Sequence, residues 1–78
     1  MERFIGKRVN VVVAFSDYTL DGGAISKEFI GVLEKCDGDY IEISDVQKVH
    51  HGLGGTSYSK YSNYTVINKQ YLTMVSEV

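Results

Sequence analysis

The sequence predicts a small all-β domain, on three observations. None of the 78 residues is proline, so no position is barred from a sheet ladder on that ground. Val, Ile, Thr and aromatic residues, six Tyr and three Phe among them, are abundant and suit a pleated, half-buried surface. Short alternating apolar segments recur between Gly, Asp and Asn turn signals, which is the spacing of a small barrel or sandwich.

The elements follow in order. Arg8–Phe15 reads as a strand: Val9, Val11, Val13 and Phe15 fall on one face, and Asn10, Val12 and Ala14 on the other. Ser16–Lys27 holds the turn signal Asp21-Gly22-Gly23 and is too long for a tight hairpin, so it reads as an extended surface excursion. Glu28–Cys36 is the second strand, and Gly31 inside it marks a bend or close backbone approach, as at a barrel corner. Asp37-Gly38-Asp39 is a hairpin turn into Tyr40–Val46, where Ile41 and Ile43 share a face. His50–Asn63, rich in Gly, Ser and Tyr, reads as a loop with strand-like ends. Tyr64–Ile67 is a short strand, Asn68-Lys69-Gln70 a tight connection and Tyr71–Val75 the last strand. No amphipathic helix, linker or repeat is visible.

The length suits one domain, 1–78, whose small core is marginal alone. Cys36 is the single cysteine, so no disulfide can form within the chain, and oligomerisation is the remaining stabiliser. A net charge of −2 is not the broad basic excess of a duplex-gripping protein, although a local basic patch stays compatible with it. The residues after Met1 have no apolar leader pattern, and Val11–Phe15 is too short to cross a bilayer. A cytoplasmic protein with no membrane partner is expected.

In this order the segments resemble the Sm-like (LSm) family. Phe4-Ile5-Gly6-Lys7-Arg8-Val9-x-Val11 is similar to the opening of the first Sm motif. Gly31-x-Leu33-x-x-Cys36-Asp37-x-x-Tyr40-x-x-Ile43 resembles its continuation. Ile67-Asn68-Lys69-Gln70-Tyr71-Leu72-x-x-Val75 sits where the second motif falls. The resemblance implies a strongly bent five-stranded barrel of the SH3 type, here with little or no N-terminal helix. It also implies a ring in which the fourth strand of one copy pairs with the fifth of the next, so that Tyr64, Val66, Ile67, Tyr71, Leu72 and Met74 are the expected subunit interface. For single-stranded RNA at the inner rim, it maps the stacking position onto Tyr40 and the Arg-Gly pair onto Asn68-Lys69. The family's base-reading Asn falls on Ile41, which has no polar side-chain atom. The N-terminal helix is nearly absent and the Ser16–Lys27 excursion is longer than usual.

No residue set suggests catalysis. His50-His51 lacks the further ligands that zinc needs and reads as an exposed pair, so no metal or cofactor is expected. Gly52-Leu53-Gly54-Gly55-Thr56-Ser57 opens no helix, unlike a phosphate-cradling loop, and reads as a mobile loop. Cys36 reads as a packing residue and Asp37/Asp39 as a solvated turn. Tyr58, Tyr61 and Tyr64 with Lys60 suit stacking on bases, but also packing or an interface. The expected function is therefore a ring-forming binding module and not an enzyme. Its partners are further copies of itself with single-stranded RNA or, as the rival reading, another protein docked on the ring and its long loops. A monomeric SH3-type barrel is the third reading.

Overall fold

The computed structural model describes residues 1–16 and 24–78. Five strands form one antiparallel sheet: β1 (Arg8–Ser16), β2 (Ala24–Cys36), β3 (Tyr40–Gly52), β4 (Gly55–Asn68) and β5 (Leu72–Glu77), in the order β4-β3-β2-β1-β5. Single 3-10 turns lie at Glu2–Phe4 and Lys69–Tyr71, and no α-helix occurs among the described residues.

The alternation read from the sequence packs the core. Val9, Val11 and Val13 of β1 meet Phe29 and Leu33 of β2, Ile41, Ile43 and Val46 of β3, and Ile67 of β4. Phe4, Cys36, Leu72 and Val75 pack around this cluster while staying partly exposed. One sheet wraps its own core because it bends at Gly31. Ile30 pairs with Gln47 and Val32 with Ser44, so β3 spends one more residue than β2 across this step, and Asp45 there has φ 50°. Such a bulge bends the strand and tightens its twist. A Cβ on Gly31 would lie 2.9 Å from the Ser44 carbonyl oxygen, so only glycine lets the two backbones approach this closely.

Four sequence expectations need correction. First, His50–Asn63 is not a loop. β3 runs on to Gly52 and β4 starts at Gly55, with a ladder from Gly52↔Gly55 through His50↔Ser57, Lys48↔Ser59 and Gln47↔Lys60. The connection is the two residues Leu53 and Gly54, and Gly55 at φ +116° supplies the backbone turn. Second, the ends of the Ser16–Lys27 excursion are strand, because the β1–β2 ladder continues through Ala14↔Ser26 to Ser16↔Ala24. The Asp21-Gly22-Gly23 turn lies outside the described residues. Third, the sheet is open: β5 pairs with β1, β4 pairs with β3, and β4 and β5 do not pair with each other. The last strand also starts at Leu72 instead of Tyr71, which belongs to the 3-10 turn.

Candidate functional site

The open sheet leaves two long backbone edges. The outer edges of β4 and β5 have no strand partner among the described residues. Exposed edges of this kind are templates for pairing with another chain unless they are blunted. Neither edge carries proline, and the β5 edge ends with Glu77, whose carboxylate is 3.2 Å from Lys7 Nζ.

The residues expected at a subunit interface divide in two. Tyr64, Val66, Tyr71 and Met74 are exposed, at 51%, 56%, 40% and 53%. Ile67 is 7% exposed and belongs to the core of its own chain, because it stands across from Ile41 on the inner face. Leu72 is half-buried against the same core. Tyr64 donates its hydroxyl hydrogen to the Glu42 carboxylate, and this contact pushes the phenol above its ordinary range. Lys35 Nζ lies 3.8 Å from both Glu42 and Asp37, which leaves this outer face mixed in charge.

The three residues expected to contact RNA are neighbours. Tyr40 stands opposite Asn68 in the β3–β4 ladder, and the Lys69 amide donates to the Asp39 carbonyl at 2.8 Å. Tyr40 is half-exposed, as base stacking requires. Asn68, however, caps the 3-10 turn: its Oδ1 accepts from the Gln70 amide at 3.0 Å. That bond uses one of the two lone pairs on its oxygen, so the amide nitrogen and one acceptor site remain to meet a ligand. Ile41 is fully buried and faces the core.

The remaining sequence candidates are set apart by the pleat. Successive strand residues point to opposite faces. His50 Nε2 therefore lies 2.8 Å from Ser59 Oγ on one face, and His51 Nε2 lies 2.8 Å from Glu28 Oε1 on the other. The two imidazoles cannot share a metal ion, and no group of three or more His, Cys, Asp or Glu gathers among the described residues. Gly52–Ser57 is the hairpin turn with the last residue of β3 and the first residues of β4. Cys36 is half-buried against the core.

Sequence reasoning missed the small cluster around Glu28. Its carboxylate accepts from Asn10 Nδ2 at 2.7 Å and contacts His51 at 2.8 Å, and the Asn10 bond, followed by the His51 bond, holds it below the ordinary carboxylate range. Asn10, Glu28 and His51 come from three strands, and the alternation of β1 gave the one usable sign, a polar residue between two valines. An open groove of about 420 Å³ runs along the unclosed seam, lined by Val13, Phe29, Tyr61, Ile67 and Tyr71; the Phe29 and Tyr61 rings are tilted with centroids 4.8 Å apart.

No family model, curated protein or solved structure matches the chain. No helix among the described residues is long and apolar enough to cross a membrane.

Proposed function

We propose that this chain is a self-assembling binding module of the Sm-like kind, in which the β4 edge of one copy hydrogen-bonds to the β5 edge of the next. One observation carries the reading: the two end strands of a single open sheet both present unpaired outer edges, flanked by exposed Tyr64 and Val66 on β4 and Met74 on β5. An edge that meets a different edge is a heterologous contact, which closes into a ring when the rotation per copy allows it. Pairing would cover the tyrosines and satisfy the edge amides together, the two things such a strand lacks. It would also supply the burial that a chain of this size lacks alone.

Light scattering on the full chain after size exclusion tests the reading. The expected result is one defined oligomer of several copies, and a monomer at the highest attainable concentration contradicts it. Single-stranded RNA is a second reading with its own support, the adjacency of Tyr40, Asn68 and Lys69. Three other cations are engaged by acceptors, Lys7 with Glu77, Arg8 with Gln47 and Lys35 with Asp37 and Glu42, which favours the assembly reading over phosphate binding, although Arg3 lines a cleft with Lys69.

A further inference from the structure

The C-terminal half of the chain is segregated in charge. Of the ten acidic residues none lies between Asp45 and Glu77, whereas Lys48, Lys60 and Lys69 do, together with His50 and His51. The distal parts of β3 and β4 draw most of these together into a ribbon, flanked by β2 as far as Glu28↔Val49 and two-stranded beyond it. Its register is Gly52↔Gly55, His51↔Thr56, His50↔Ser57, Val49↔Tyr58, Lys48↔Ser59 and Gln47↔Lys60. At its apex Leu53 is fully exposed between glycines, and neither Gly52 nor Gly54 has a side chain to shield it. One carboxylate reaches the ribbon from outside, Glu28 of β2 on His51. No carboxylate among the described residues pairs with Lys48 or Lys60.

We propose that this ribbon is a docking finger for an anionic lipid surface, inserting Leu53 and resting Lys48 and Lys60 on the headgroups. The distribution of residues over the two faces selects a lipid surface over a nucleic acid. Cross-strand partners share a face, so His51, Tyr58 and Lys60 occupy one side, and Lys48 and His50 the other together with Tyr61, whose ring meets Phe29 there. Each side thus holds one lysine, one histidine and one tyrosine. A ribbon lying along a nucleic-acid strand needs its cations and aromatics on a single face. A finger entering tip-first needs them all round, with the apolar residue at the apex and aromatic rings at the water interface.

The heights agree with insertion. At about 3.3 Å per residue, Tyr58 lies roughly 13 Å behind the apex and the two lysines roughly 16–20 Å behind it. An apolar tip sunk about 5–10 Å into the headgroup boundary leaves the tyrosine near the water side. The lysine heads, on flexible stems, then fall within a Debye length of about 8 Å of the lipid phosphates. A lipid surface docked this way is not a spanning segment, so the shortness of the apolar run at Val11–Phe15 has no bearing on it. The site shares β4 with the proposed assembly edge but uses no β5 residue and neither Tyr64 nor Val66.

Vesicle co-sedimentation of the full chain tests the proposal, with phosphatidylglycerol–phosphatidylcholine vesicles against phosphatidylcholine alone. The chain should sediment with the anionic vesicles and not with the neutral ones. Leu53→Ser should weaken partitioning about tenfold, the scale of losing one buried leucine side chain. Lys48→Glu with Lys60→Glu should abolish it. In Leu53→Trp the emission should shift to the blue on adding anionic vesicles, a readout of the apex itself. Leu53 touches no core residue, and the circular dichroism of each variant checks that the sheet persists. Absence of binding to anionic vesicles, binding that Leu53→Ser leaves unchanged, or an unshifted Trp emission overturns the proposal. Binding to a single-stranded oligonucleotide in place of the vesicles also overturns it and reassigns the ribbon to nucleic acid.

Discussion

β3 and β4 run through two regions that are held together differently. Near the β2–β3 turn, β2, β3 and β4 contribute Leu33, Ile41, Ile43 and Ile67, all buried, to the core. Towards the other end, β3 and β4 leave the core and continue as the ribbon, where every residue from His50 to Tyr61 is exposed. The core half is stabilised by apolar burial, and the ribbon by its ladder, its two-residue turn and side-chain contacts such as His50–Ser59 and His51–Glu28. On β3 the dividing line falls between buried Val49 and exposed His50, and on β4 at Tyr61, an unpaired extra residue between Lys60 and Ser62. The strands therefore carry structure at one end and an accessible surface at the other.

That contrast can be broken from the core side first. Ile43→Ala removes a fully buried side chain and should cost about 2–5 kcal/mol, measured by urea unfolding. In a domain whose total stability is about 5–15 kcal/mol this is a large fraction, and no ribbon substitution should approach it. Gly31→Ala acts at the bend within the core half. The new methyl meets the Ser44 carbonyl, which the backbone can relieve only by opening the bend, and the expected cost is about 1–3 kcal/mol by the same measurement. Wild-type stability in Gly31→Ala would mean that the close approach is not needed for the sheet to wrap its core.

The smallest effect belongs to the ribbon's link to β2. The Glu28 carboxyl is lowered first by the Asn10 hydrogen bond and then by the one to His51. A carboxyl whose pKa falls on folding favours the folded chain above its unfolded value, about 4.3. That contribution is lost as the pH drops through the lower folded value. A carbon-13 titration of the Glu28 carboxyl should therefore give a midpoint below that of a free glutamate, and Asn10→Ala should move it upward. A midpoint at or above the free value would remove the link.

How much of this the sequence discloses depends on what holds each region. Val9, Val11 and Val13, and Ile41 with Ile43, disclose the core because strict alternation and burial coincide. Gly31 discloses the bend, since a lone glycine in an apolar strand has few other uses. The ribbon stayed hidden because Gly, Ser and His are loop residues by composition, and its pairing is specified across the ladder by partners such as Lys48 and Ser59. Ile67, expected at an interface, is in the core because its register partner is Ile41, a long-range pairing that no local pattern contains. Tyr40, Asn68 and Lys69 are neighbours through the β3–β4 register, but the capping role of Asn68 depends on the Lys69–Tyr71 turn, which alternation does not reveal.

The proposed head-to-tail pairing of the β4 and β5 edges is tested most directly by mixing two single variants. Val66→Lys charges only the β4 edge, and Met74→Lys only the β5 edge; both side chains are exposed, so the fold should survive. Light scattering should find each variant alone reduced to monomer and their equimolar mixture forming a two-copy complex through the one intact edge of each. A mixture that stays monomeric although the wild type assembles, or variants that keep the wild-type size, would contradict pairing between these edges.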